Sequence, residues 1–334
     1  MKKTFKRISI VVLALLLAVP ASLSLIGCNR RVPDIVVTIF PFYDWTRVIL
    51  GENPNDLYVR YLLDTGVDLH NYQISFRDRA DISTARLFLY NGGKSDVWTL
   101  NALINPQYQN RRAVPLMREL SLEETMVFPD ENVISDEEEC CGGATHDEHV
   151  WLSLQFAMRF VARIRDEIIL LDPSNAEYYR QNAAAYIEKL AALDAELVQM
   201  TYDSPRDTIL VADRFPFLYM ASRPSLVERD GEMVQGHYNL FYFYSAFDGC
   251  SQATNVDFAT RIELINAINY LALDVILIVD NVSLATSLIN DSNFNPVIYQ
   301  LECFQSVSRH HINNGLTYYY SMRQNLTSLK AALR

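Results

Sequence analysis

Asn175–Tyr202 reads NAEYYRQNAAAYIEKLAALDAELVQMTY, and this stretch decides the architecture. Tyr178, Ile187, Leu190, Leu193, Leu197 and Met200 recur at roughly helical spacing. Ser174, just before it, suits an N-cap, and Glu177 three residues later completes a capping box. Pro205 closes the segment. The spacing predicts one helix over about 174–203. At about 1.5 Å per residue, about 28 residues reach about 42 Å, enough for a spine running the length of a domain pair.

On either side of that spine, short apolar runs alternate with helical stretches. Before it, Ile35–Phe40 reads as a buried strand ended by Pro41 and Tyr43–Leu50 as a short helix stopped at Gly51. Leu57–Leu63 is a second strand, and Leu87–Tyr90 a third, closed by Asn91-Gly92-Gly93. After it come strands at Thr208–Ala212 and Asn239–Phe247, a helix over Val256–Leu271, and a strand at Val275–Val279. A helix over Ser283–Ile289, a strand at Val297–Leu301 and a terminal helix over Leu316–Leu333 complete the chain. The expected fold class is α/β: two α/β lobes with mainly parallel sheets joined by the long spine helix. The boundaries are an N-terminal lobe over 28–150, with an acidic insert at 130–147, a linking region over 151–204, and a C-terminal lobe over 205–334.

The first 27 residues carry an export signal. Lys2, Lys3, Lys6 and Arg7 precede an apolar run from Ile10 to Val19, then Pro20, Ala21 and Ser22. The run is short for a membrane span, which needs about 20 apolar residues. It leads into Leu25-Ile26-Gly27-Cys28, which resembles a bacterial lipobox; Cys28 would then be lipidated and tether the mature chain outside the cytoplasm. The 334 residues carry a net charge of −11, and losing the four basic residues of this leader brings it to −15. So acidic a chain repels phosphate backbones and suits a cationic ligand. Outside the cytoplasm disulfides are allowed, and Cys250 and Cys303 are read as a pair able to form one. Cys140 and Cys141 fall in the acidic insert and are read as exposed.

Six histidines are available, and imidazole is the commonest zinc ligand type. His70 follows the second strand in Gly66-Val67-Asp68-Leu69-His70, at the C-terminal side of a parallel strand, where open α/β sheets place ligands. His149 stands in Asp147-Glu148-His149-Val150-Trp151, with His146 three residues earlier and assigned to the insert. His310-His311 read as a solvated pair, and the sequence leaves His237 undecided. The chain carries no nucleophile elbow, P-loop, dinucleotide glycine pattern or HExxH helix, so it is read as a non-enzyme.

Taken in order, these motifs resemble the metal-binding solute-binding proteins of zinc and manganese ABC importers (cluster A-I). The resemblance rests on Gly66-Val67-Asp68-Leu69-His70, Asn91-Gly92-Gly93 with Trp98, Asp147-Glu148-His149-Val150-Trp151, and Gly315-Leu316-Thr317-Tyr318 through Met322, Asn325 and Leu326. It implies a metal held between the lobes, Zn2+ ahead of Mn2+, and delivery to an ABC transporter permease with its ATPase. It implies a monomer tethered to the membrane by lipid only. Where many members carry a third histidine, this chain has Asp213-Arg214-Phe215-Pro216-Phe217, and arginine stays protonated and cannot ligate. The expected ligands are therefore His70, His149, Asp213 and Asp280, with Arg214 and His146 near the cleft. The alternative is a degenerate member that has lost the metal and acts as an adhesin or binds another ligand.

Overall fold

The apolar run at Ile35 makes strand β1 (Ile35–Val37), every residue of it buried. Its predicted continuation does not extend: helix α1 (Phe40–Leu50) begins at once, with Pro41 in its first turn, where a missing N–H costs nothing. The computed structural model describes residues 31–104, 111–121, 124–126, 146–229, 232–251 and 253–334. The leader with Cys28, and nearly all of the acidic insert with Cys140 and Cys141, lie outside the described residues. Pro33–Arg334 form one compact unit.

After α1 come β2 (Val59–Tyr61), α2 (Phe76–Thr84), β3 (Leu87–Tyr90), α3 (Trp98–Leu103) and β4 (Arg112–Pro115). These strands form an all-parallel sheet in the order β2-β1-β3-β4. Helix α4 (Leu154–Leu171) leads to the 28-residue helix α5 (Ala176–Asp203). The expected capping box at its start does not form. Asn175 is the N-cap without a side-chain hydrogen bond, because Ser174 Oγ and Asn175 Nδ2 both donate to the carboxylate of Asp172.

Beyond α5 lie β5 (Thr208–Phe215), the single turn α6 (Leu218–Ala221), β6 (Ser222–Arg229), β7 (Glu232–Asn239) and β8 (Tyr242–Asp248). Then follow α7 (Phe258–Tyr270), β9 (Val275–Ile278), α8 (Val282–Asp291), β10 (Val297–Gln300), α9 (Arg309–Asn313) and α10 (Tyr318–Ala332). The second sheet is also parallel, in the order β10-β9-β5-β8. Strands β6 and β7 pair only with each other, as an antiparallel ribbon the sequence reading did not anticipate.

Why the central strands read as unbroken apolar runs is visible in their burial. Ile209, Val211, Val275, Leu277 and Val279 face a core continuous with the first sheet, α1, α4, α5 and α10. Their neighbours Leu210, Ala212, Ile276 and Ile278 face a second, smaller core built on α7 and α8. Successive strand side chains point to opposite faces, so a strand covered on both faces shows no polar alternation.

The two sheets are tied by an aromatic seam. Trp45 of α1 meets Tyr318 edge to face at 4.9 Å between ring centres, and Phe304, after β10, lies 5.0 Å from Tyr318 and 5.9 Å from Phe40. Each such pair contributes roughly 0.5–1.5 kcal/mol beyond its area burial. The Tyr318 hydroxyl donates to the Trp151 carbonyl at 2.7 Å, and Trp151 Nε1 donates to the Cys303 carbonyl at 2.9 Å. Buried hydrogen bonds of this kind fix geometry; here they hold the turn after His149 against the loop after β10.

Candidate metal centre

Four side chains from separate parts of the chain converge at the C-terminal ends of the two sheets. His70 lies in a single helical turn (Leu69–Asn71) after β2, capped by Asp68, whose carboxylate accepts the His70 backbone N–H at 2.9 Å. His149 precedes the turn Val150–Leu152 and is fully buried. Cys250 follows β8, and Gln305 follows β10. One donor atom from each of His70, His149 and Cys250 lies within 4.8 Å of the others. Gln305 Nε2 sits 2.8 Å from His70 Nε2 and 2.8 Å from His149 Nε2.

The opposite edge of each imidazole is held by acidic groups. His149 Nδ1 lies 3.1 and 3.2 Å from the two carboxylate oxygens of Asp147, which also accepts the His149 backbone N–H at 2.8 Å. His70 Nδ1 lies 2.6 Å from Ser95 Oγ, and Ser95 donates onward to Glu148 Oε1 at 2.5 Å. A carboxylate accepts only. In the neutral imidazoles the proton therefore sits on Nδ1 of both rings, and the Nε2 lone pairs face inward. A carboxylate behind a histidine is the arrangement that orients metal-ligating imidazoles and raises their basicity. Burial and the neighbouring His149 hold His70 below the usual imidazole range, against the opposing pull of Glu148 and Asp68. Burial also pushes His149 down, but the charge and hydrogen bond of Asp147 outweigh it and the group ends above that range.

Backbone packing fixes these supports. The Asn91 and Gly92 amides donate to Asp96 at 2.6 and 3.1 Å, and Asn91 Nδ2 donates to the Glu148 carbonyl at 2.9 Å. Burial pushes the Asp96 carboxyl up to about 7, against the pull of those amides. Gly249 allows Cys250 to come alongside His149: a methyl group there would lie 2.9 Å from Pro216 Cα and 3.0 Å from His149 Cε1. Replacing Gly249 by alanine is expected to push the Cys250 loop off the imidazole. Zinc affinity should then fall about tenfold or more, as for other groups that support ligands, with secondary structure retained in circular dichroism.

Asp213 and Asp280 do not join this cluster, which corrects the expectation that both ligate. Asp213 Oδ2 accepts three backbone N–H groups, from Val279, Asp280 and Asn281, at 3.1, 2.6 and 2.7 Å, and its Oδ1 accepts that of Arg214 at 2.8 Å. Its lone pairs are spent on holding the chain past β9. Asp280 is paired instead with Arg214 Nη2 at 2.9 Å. Between Val211 and Arg214, β5 carries one more residue than β8, a bulge of the kind that re-aims side chains beside sites. It brings Arg214 to Asp280 and, across to the loop of the first sheet, to within 3.4 Å of Asp68. His146 lies apart from the cluster, with Nδ1 2.6 Å from Thr125 Oγ1. Cys250 and Cys303 are both thiols, not a disulfide: Cys303 donates to Gln305 Oε1 at 3.2 Å, and Cys250 faces the histidines. Burial pushes the Cys303 thiol up to about 12. Cys250, expected in a disulfide, thus lies at the cluster instead, together with Gln305, whose amide is not a common ligand type.

The family model described as "Zinc-uptake complex component A periplasmic" matches residues 35–332. The chain belongs to that family. Among curated proteins it is similar to the zinc-binding lipoprotein AdcA of Streptococcus pneumoniae, 32% identical over 190 residues that make up 54% of this chain and 36% of AdcA. It is also similar to the high-affinity zinc uptake system protein ZnuA of Bacillus subtilis, 28% identical over 192 residues and 58% of each chain. The match thus spans about a third to just over half the length of these curated relatives. In fold it matches the Zn(II)-bound ZnuA-like domain of Streptococcus pneumoniae AdcA, with a TM-score of 0.67 and 23% identity over 90% of this chain and 98% of that one. It also matches the metal-dependent lipoprotein YcdH of Bacillus subtilis, with a TM-score of 0.69 at 23% identity and the same coverage. The α/β architecture with parallel sheets and one long helix is the fold of this family.

Proposed function

We propose that this protein is an extracytoplasmic solute-binding lipoprotein that captures zinc between its two sheets and delivers it to an ABC importer. The observation that carries the reading is the cluster itself: two imidazole lone pairs and one thiol converge within 4.8 Å, drawn from both sheets. Imidazole nitrogen and thiolate sulfur are both zinc ligand types. Lipid on Cys28 would hold the chain, as a monomer, at the membrane face where a permease and its ATPase operate. Family membership and the AdcA and ZnuA relatives support the cargo and the route.

The thiolate sharpens the choice of metal. Manganese prefers carboxylate and water oxygens, whereas sulfur ligands favour zinc, and the general affinity order already places zinc above manganese. The test is calorimetric titration of the chelator-stripped chain from Asn29 onward with zinc and with manganese, beside Cys250→Ser. One zinc per chain is expected, with manganese at least about a hundredfold weaker. Cys250→Ser should weaken zinc by about a hundredfold and leave manganese nearly unchanged. A parent chain that binds neither metal overturns the proposal.

A further inference from the structure

The amide that lies between the histidines uses the electrons a metal would need. A neutral imidazole Nε2 has one in-plane lone pair. With Nδ1 protonated toward Asp147 in His149 and toward Ser95 in His70, each Nε2 is an acceptor, and the two hydrogens of Gln305 Nε2 satisfy one ring each at 2.8 Å. The orientation of the amide follows from the same logic. Were its oxygen turned toward the rings, two acceptors would face it, and the Cys303 thiol that now donates to Oε1 would lose that acceptor. Gln305 is 1% exposed, and the seam around Phe304 fixes the loop that carries it.

We infer that Gln305 is a built-in competitor for the cargo ion, so that loading is an exchange in which the amide releases both imidazoles before they can ligate. The inference rests on the metal-carrier reading above. Its physical content is simple. Two hydrogen bonds and one metal ion cannot share the same two lone pairs, so the affinity measured is that of the bare cage reduced by the cost of moving the amide. The same amide favours release, because it stands ready to re-form its bonds when the ion leaves. A shift of the β10 loop that freed the amide would release both imidazoles at once.

The experiment compares the parent with Gln305→Leu, which keeps bulk but cannot donate, and with Gln305→Ala. Zinc affinity is measured by competition with a chromogenic chelator and zinc association by stopped-flow tryptophan fluorescence, all at one pH. In the parent, the association rate should level off at high zinc, because release of the amide becomes limiting. Both variants should bind about tenfold more tightly, equivalent to about 1.4 kcal/mol, and their association rates should rise linearly with zinc without levelling. Weaker binding by both variants would make the amide oxygen a ligand and overturn the inference. Unchanged affinity with an unchanged plateau would make Gln305 a bystander, which also overturns it while leaving the metal-carrier reading standing. If neither the parent nor either variant binds zinc, that reading falls and the inference with it.

Discussion

Exchanging His70 and His149 together for alanine is expected to abolish stoichiometric zinc binding, and calorimetry of the stripped double mutant should show no heat beyond dilution. The two rings supply the nitrogen donors of the cluster, and Cys250 alone cannot replace a chelate. The single exchanges should differ in what else they cost. The His70 side chain is 8% exposed, and its support, Ser95 with Glu148, keeps its own hydrogen bonds without the ring. His149 is wholly buried, packs edge to face on Trp151 at 5.3 Å, and balances the Asp147 carboxylate. His149→Ala therefore opens a cavity and removes a partner from a buried acid, and should cost about 2–4 kcal/mol of folding stability. His70→Ala leaves one hydrogen of the buried Gln305 amide without its acceptor and should cost less, about 1–2 kcal/mol. Thermal denaturation of the two single mutants without metal separates the two costs. A double mutant that still bound one zinc tightly would place the ion somewhere other than between these rings.

The legible part of the fold is the part set by burial. Strands β1, β3 and β9 and the first half of β5 carry apolar runs because both their faces are covered, and such runs can be read without partners. Helix α4 shows the same kind of signal in Phe156, Phe160, Val161, Ile164 and Ile168, within the segment expected as a linking region. The ribbon β6–β7 escaped because it pairs with nothing else and carries Pro224 in one strand, although Asp230 and Gly231 between its two runs are a hairpin pair by composition. The site divides along a similar line. His70 and His149 sit in local motifs whose support residues are neighbours in sequence: Asp68 caps the one and Asp147 orients the other. Cys250 and Gln305 reach the same point through strand order, from the ends of β8 and β10 on opposite edges of the second sheet. Nothing local in Gly249-Cys250-Ser251 or Phe304-Gln305-Ser306 announces that convergence, and the family resemblance directs attention to Asp213 and Asp280 instead.

Asp213→Ala separates a ligand from a structural acid more sharply than any metal titration. As a ligand, Asp213 would lose zinc on mutation and leave the fold intact. As the structure has it, the carboxylate is 5% exposed and accepts the backbone N–H groups of Val279, Asp280 and Asn281 together with that of Arg214. Alanine removes the acceptor for all four. Each buried N–H left without a partner costs about 1–3 kcal/mol, less where water can enter from the Asp280 side. A loss of about 3–5 kcal/mol in urea unfolding is expected, among the larger effects of any single exchange. Asp213→Asn should be milder, since one oxygen still accepts while the amide hydrogens face donors. Asp280→Ala should cost under about 1 kcal/mol, because its side chain is 63% exposed and Arg214 keeps Asp68 as a partner. The expected order is Asp213→Ala, then Asp213→Asn, then Asp280→Ala, with zinc affinity falling only as far as the chain past β9 loosens. A stable Asp213→Ala protein that had lost its zinc would return the carboxylate to the metal and make the cage one of four protein ligands.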